Sequence, residues 1–154
     1  MRGDPTSPRG WATTLSKAWG PRFPVDVPQI ALEYSKRFAD PVLVVEAASI
    51  SNFEGALAPL PSGGWAILYN PSLKSLGRVN FTLAHEWGHY LCHRGGATGG
   101  FTCGPLDVMG GGREMEREAD QFASYLLMPL DDFRTQTAGQ TMTLDLLTHC
   151  KDRY

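Results

Sequence analysis

The 154 residues predict an α+β fold in one main domain, and three observations carry that expectation. Three short apolar stretches, 42–46, 53–60 and 65–70, are bounded by proline, glycine and asparagine and read as strands. After residue 77 the apolar spacing becomes helical, in two long segments. The length suits a single core, with room for a small appendage. A formal net charge of −2 and the lack of a basic run argue against direct contact with nucleic acid. No apolar run reaches the roughly 20 residues of a membrane span, and the polar, proline-broken start lacks the apolar stretch of a signal peptide. Three scattered cysteines, Cys92, Cys103 and Cys150, make no disulfide framework, so the expected compartment is the cytoplasm.

Taken in order, residues 1–10 read as a flexible lead. Residues 11–19 form a short helix ended by Gly20-Pro21. A second helix starts at the cap Asp26, with Pro28 in its first turn and Ile30, Leu32, Tyr34 and Phe38 as its apolar surface; Asp40-Pro41 stops it. The first strand follows at 42–46. The second and third strands form a hairpin about the turn residues 59–64, and Pro71 closes the third. A helix over 78–93 comes next, with Val79, Leu83, Ala84, Trp87 and Leu91 at helical spacing. Residues 94–112 hold eight glycines and read as a long loop. The helix over 114–128 buries Met115, Ala119, Phe122, Ala123, Leu126 and Leu127 and ends at Pro129. A short turn at 130–134 and a helix over 143–151, capped by Thr143, complete the chain.

The helix over 78–93 carries His85-Glu86-Trp87-Gly88-His89. Residues four apart on a helix stand one turn above each other on one face. Two imidazoles placed that way can bind one Zn²⁺, while Glu86 sits beside the ion and can accept a proton from water. Gly88 marks either close approach of another element or a tolerated packing glycine, at a cost of about 1 kcal/mol against alanine. A catalytic zinc usually takes three protein ligands. The pattern that supplies a third histidine six residues on is excluded, because Cys92 and Gly95 stand where it needs glycine and histidine. Glu116 on the next long helix fits a glutamate ligand. Asp120, four residues later on the same face, suits a hydrogen bond to the far nitrogen of a ligand histidine. Glu118 is two positions from Glu116 and faces elsewhere. His93, four after His89, is a weaker candidate for ligation. Tyr69, Tyr90, His93, Tyr125 and His149 are all candidate donors to an oxyanion, and sequence does not choose among them. Trp65 and Trp87 read as core aromatics.

Arg78-x-x-Phe81-Thr82-Leu83-Ala84-His85-Glu86-x-Gly88-His89, with Glu116-x-x-Ala119-Asp120-x-Phe122-Ala123-x-x-Leu126-Leu127-Met128-Pro129, resembles the ImmA/IrrE metallopeptidase family over about residues 40–135. The resemblance implies a zincin-like fold of the glutamate-ligand (gluzincin) type, a small three-stranded sheet packed on the motif helix and the glutamate helix, within a domain of residues 11–135. It implies that His85, His89 and Glu116 hold zinc and that Glu86 is the general base. Mn²⁺ or another divalent transition metal suits the same donors. It also implies a cytoplasmic endopeptidase whose protein substrate is a helix-turn-helix repressor from the same locus, in stress, mobile-element or toxin–antitoxin regulation. Residues 136–154 read as the start of a further helical region. In zincins the strand before the motif helix borders the cleft, so 65–70 is expected to pair with an extended substrate. The alternative is a metal-bound interaction module of a toxin–antitoxin pair that acts by binding, not cleavage. Glu86 argues against it, since a binding module needs no proton shuttle. Cys103, in the glycine-rich stretch, is either a small buried anchor or a thiolate that folds back onto the metal as a regulatory ligand.

Overall fold

Ten consecutive residues, 82–91, are buried in one helix. A helix buried on every side must be the centre of the fold, and the other elements are arranged around it. The computed structural model describes residues 3–49, 51–96, 99–103 and 112–154. In chain order these form α1 (Pro8–Trp19), α2 (Val27–Tyr34), β1 (Val42–Ala47), β2 (Gly55–Pro59), β3 (Trp65–Tyr69), the central α3 (Leu76–His93), β4 (Phe101–Cys103), α4 (Gly112–Leu127), α5 (Leu130–Thr137) and α6 (Leu144–Arg153).

Local chemistry explains most boundaries. Ser7 accepts from Gly10 N, and Pro8 occupies the first turn, so α1 starts three residues earlier than its apolar pattern suggests. Asp26 caps α2 through Gln29 N, and Thr143 caps α6 through Leu146 N, as expected. Ser75 caps α3 through Arg78 N. The α2 helix stops at Tyr34, short of Phe38, in a 3₁₀ turn whose Ser35 hydroxyl is buried and accepts from Val42 N at 2.9 Å. Gly63 and Gly64 both take positive φ, 91° and 80°, to close the hairpin between β2 and β3.

The sheet has the order β1-β3-β2-β4. The three expected strands are present, and β4, a short piece of the glycine-rich stretch, joins them at the edge beside β2. β3 is interior. It pairs in parallel with β1 (Val45 opposite Ile67) and antiparallel with β2 (Leu57 opposite Ile67). Both sides of its backbone are therefore occupied, and the expectation that 65–70 pairs with substrate is overturned. Among the described residues the edge strands are β1 and β4.

The core joins the sheet to the helices through Leu57, Trp65, Ile67, Leu83, Ala84, Trp87, Tyr90 and Phe122. Trp65 and Trp87 are core aromatics, as expected. On α4 the fully buried residues are Ala119, Phe122, Ala123 and Leu126, a helical stripe facing inward. Burying Phe122 and Leu126 contributes roughly 1.5–3 kcal/mol each. Trp11, Ala12 and Leu15 of α1 join the same core, so the N-terminal helix belongs to the body of the fold. At the far end Asp132 on α5 accepts two hydrogen bonds from Arg153 and one from Tyr154, which ties α6 down.

Candidate metal centre

The centre exists because α4 lies hard against α3 at Gly88. A Cβ there would stand 3.0 Å from Phe122 Cδ1 and 3.2 Å from Ala119 Cα. Close approach is therefore the reason for this glycine, and the approaching element is the helix that carries Glu116 and Asp120. Gly88→Ala gains about 1 kcal/mol of helix propensity but overpacks a backbone contact at a cost of about 1–3 kcal/mol. We expect a lower melting temperature, by about 2–4 °C for each kcal/mol lost, and weaker metal binding because Glu116 is displaced. Thermal melts with and without zinc test this. An unchanged melt with full metal affinity would show that α4 yields freely.

His85 and His89 turn their Nε2 atoms toward each other, 3.1 Å apart. The Glu116 carboxylate spans them, with Oε2 3.1 Å from His85 Nε2 and Oε1 3.1 Å from His89 Nε2. These three residues are the group able to hold a metal ion among the described residues, with ligand atoms all within 4.8 Å of one another. Electrostatics follow the geometry. Burial alone would lower the His85 pKa, but the hydrogen bond it donates to Glu116, the charges of Glu86 and Glu116 and the hydrogen bond it donates to Asp120 outweigh burial and raise it. Burial dominates at His89, where the neighbouring imidazoles add to it, and the pKa falls. Burial works to raise the pKa of Glu116, but its contacts with both histidines hold it well below the usual carboxylate range.

The far nitrogens are engaged as well. His85 Nδ1 lies 2.8 Å from Asp120 Oδ1, the contact expected from the i, i+4 spacing of Glu116 and Asp120. His89 Nδ1 lies 3.0 Å from His93 Nδ1, and His93 Nε2 lies 2.7 Å from Glu118 Oε2. Glu118 thus stands outside the ligand group yet turns toward the motif helix. This agrees with its two-residue offset from Glu116: Glu118 meets His93, one turn beyond His89 on α3, and not the three converging donors. His93 likewise neighbours His89 and is not part of the group able to hold a metal.

Glu86 is fully buried beside these groups, with both carboxylate oxygens enclosed. β2 forms the roof. A Cβ at Gly55 would lie 2.5 Å from Thr82 Cγ2 and 2.9 Å from Glu86 Oε1, so only glycine lets the strand approach this closely. A glycine inside a strand is the sequence signal that could have found it. Arg78 pairs with Glu54, the residue before Gly55, and fastens the start of β2 to α3. Gly55→Ala is expected to cost about 1–3 kcal/mol, since Thr82 is a stiff, buried side chain, and to shift Glu86. Denaturant unfolding measures the loss; a fully stable variant would show that the roof has slack.

Two of the candidate oxyanion donors, Tyr90 and His149, are engaged elsewhere. Tyr90 is buried, donates to the Asp40 carbonyl at 3.0 Å, and is pushed up to about 12 by burial. His149 pairs with Gln136 at 2.8 Å. Arg9 lies over the Tyr125 ring, and Tyr69 lines a cavity with Pro28 and Val79. The backbone of Cys103 pairs with Gly55, but its side chain lies outside the described residues, as do residues 97–98 and 104–111 of the glycine-rich stretch.

Comparison with curated proteins finds no match. The family model for Peptidase M78, described as the IrrE N-terminal-like domain, matches residues 40–154. That span runs from β1 to α6 and contains His85, Glu86, His89 and Glu116. The chain therefore belongs to the Peptidase M78 family.

Proposed function

We propose that the protein is a zinc-dependent endopeptidase of the gluzincin type. In this reading His85, His89 and Glu116 are the ligands, Glu86 is the general base and Asp120 orients His85. One observation carries it: three donors from two helices converge on one point, with a fully buried glutamate next to them. The donor set suits the ion. Ligands about 2.0–2.2 Å from one tetrahedral zinc stand roughly 3.3 Å apart, and the histidine nitrogens are 3.1 Å apart. Mn²⁺ or another divalent transition metal suits the same atoms. A bound ion supplies Lewis acidity that polarises the scissile carbonyl and acidifies the attacking water.

The chain's own residues do the rest. Glu86 accepts the proton of the attacking water and returns it to the leaving amine. Its position under the β2 roof excludes bulk water and fixes its direction. Asp120 accepts from His85 Nδ1–H, which keeps the opposite nitrogen free to coordinate. An extended substrate segment adds its backbone at the β4 edge of the sheet, next to the strand that covers Glu86.

The substrate is a protein, and the family resemblance points to a helix-turn-helix repressor encoded at the same locus, cleaved in the cytoplasm. Among the described residues no helix is long and apolar enough to cross a membrane. The test is incubation with the product of the neighbouring gene, with zinc and with chelator. A discrete, zinc-dependent cut is expected. An intact partner held in a stable complex would favour the interaction module over the peptidase.

A further inference from the structure

We propose that His93 and Glu118 are positioning residues for His89, doing for the second ligand histidine what Asp120 does for the first. The inference rests on the metal-centre reading above. It is not a ligand assignment: both residues lie outside the ligand group.

The argument is one of hydrogen-bond direction. A neutral imidazole has one donor nitrogen and one acceptor nitrogen. Coordination through Nε2 leaves the His89 proton on Nδ1, which must therefore donate. The atom facing it at 3.0 Å is His93 Nδ1, so that nitrogen must accept. The proton of His93 is then on Nε2, which faces Glu118 Oε2 at 2.7 Å. A carboxylate can only accept there. The chain runs one way, from ligand to imidazole to carboxylate. Glu118 is what fixes it, because without an acceptor at Nε2 the His93 ring can carry its proton on Nδ1 and set donor against donor.

The placement fits. His89 and His93 are one turn apart on α3, and Glu118 reaches them from α4. The His93 side chain is 7% exposed and that of Glu118 is 36% exposed. The carboxylate thus links a buried imidazole to the rim of the centre. Each ligand histidine gains a carboxylate partner from the same helix, directly for His85 and through His93 for His89. Partners of this kind orient the ring and raise ligand basicity, and their loss typically costs about 10–100-fold in metal affinity.

The test uses the full chain, zinc alone as the probe and a chromophoric chelator as competitor. His93→Phe keeps an aromatic ring and removes both hydrogen bonds; it should lose about 10–100-fold in zinc affinity. His93→Asn places an amide oxygen near the former Nδ1 and should recover most of that loss, which a merely space-filling role would not do. Glu118→Ala, at a half-exposed site, should show part of the loss. Nitrogen-15 NMR of the zinc-loaded wild type should find His93 protonated at Nε2 alone. Wild-type affinity in a folded His93→Phe variant, or a His93 proton on Nδ1, overturns the proposal. Should His93→Phe fail to fold, Glu118→Ala and the NMR tautomer decide. A wild type that binds no zinc overturns the metal-centre reading and this one with it; substitutions without effect on a protein that does bind overturn this one alone.

Discussion

Glu86→Gln is expected to lower cleavage by about 10²–10⁴-fold while leaving zinc content at the wild-type level. The substitution is chosen for the space it occupies. Glu86 is fully buried, and its carboxylate lies where a Cβ on Gly55 would come within 2.9 Å of Oε1. Glutamine fills the same volume and keeps hydrogen-bonding capacity, but it cannot take a proton from water. Alanine would open a cavity under the β2 roof and confuse loss of chemistry with loss of packing. The readouts are metal analysis, binding to the product of the neighbouring gene, which is the proposed substrate, and the rate of its cleavage. Cleavage near the wild-type rate would mean that another group is the base. Metal loss from a folded variant would mean that Glu86 supports the centre and does not serve the reaction. Full relief of repression in cells by the variant would point to action by binding.

Side-chain chemistry was legible in the sequence, and non-local backbone pairing was not. His85, His89 and Glu86 declare themselves because helix periodicity turns a spacing of four into one face. Asp120 follows from Glu116 by the same rule, and Asp26 and Thr143 are recognisable caps. β4 is different: Phe101–Cys103 pairs with β2 through backbone hydrogen bonds, and a three-residue strand among glycines leaves no alternation to read. The interior position of β3 depends on β1 returning in parallel beside it, a contact over more than twenty residues. The partner of Glu118 was not legible, because a two-residue offset says that the side chain leaves the Glu116 face but not what it meets. The close approach at Gly88 sets α4 against both the His85–His89 pair and His93. Ser7-Pro8 was a cap signature hidden in a polar, proline-rich lead.

Zinc is expected to raise the melting temperature of the wild type, and His85→Ala, His89→Ala and Glu116→Ala should each abolish that rise. An ion that binds only the folded state stabilises it by about 2.7 kcal/mol at a concentration 100 times its dissociation constant. At about 2–4 °C per kcal/mol this is a rise of roughly 5–10 °C for a chain of this size. Each ligand variant removes a donor from a group whose atoms lie within 4.8 Å of one another. The affinity loss should therefore exceed the roughly 10–100-fold typical of residues that only orient ligands. Glu114→Ala serves as the control, because Glu114 is an exposed partner of Arg117 on the same helix and should keep the full zinc response. The rise should also shrink in acid. A proton on His85 competes with the ion, and its pKa is raised, so competition begins above the ordinary histidine value and grows as pH falls. A zinc response that survives Glu116→Ala but is lost with Glu118→Ala would show that the third ligand is the other carboxylate.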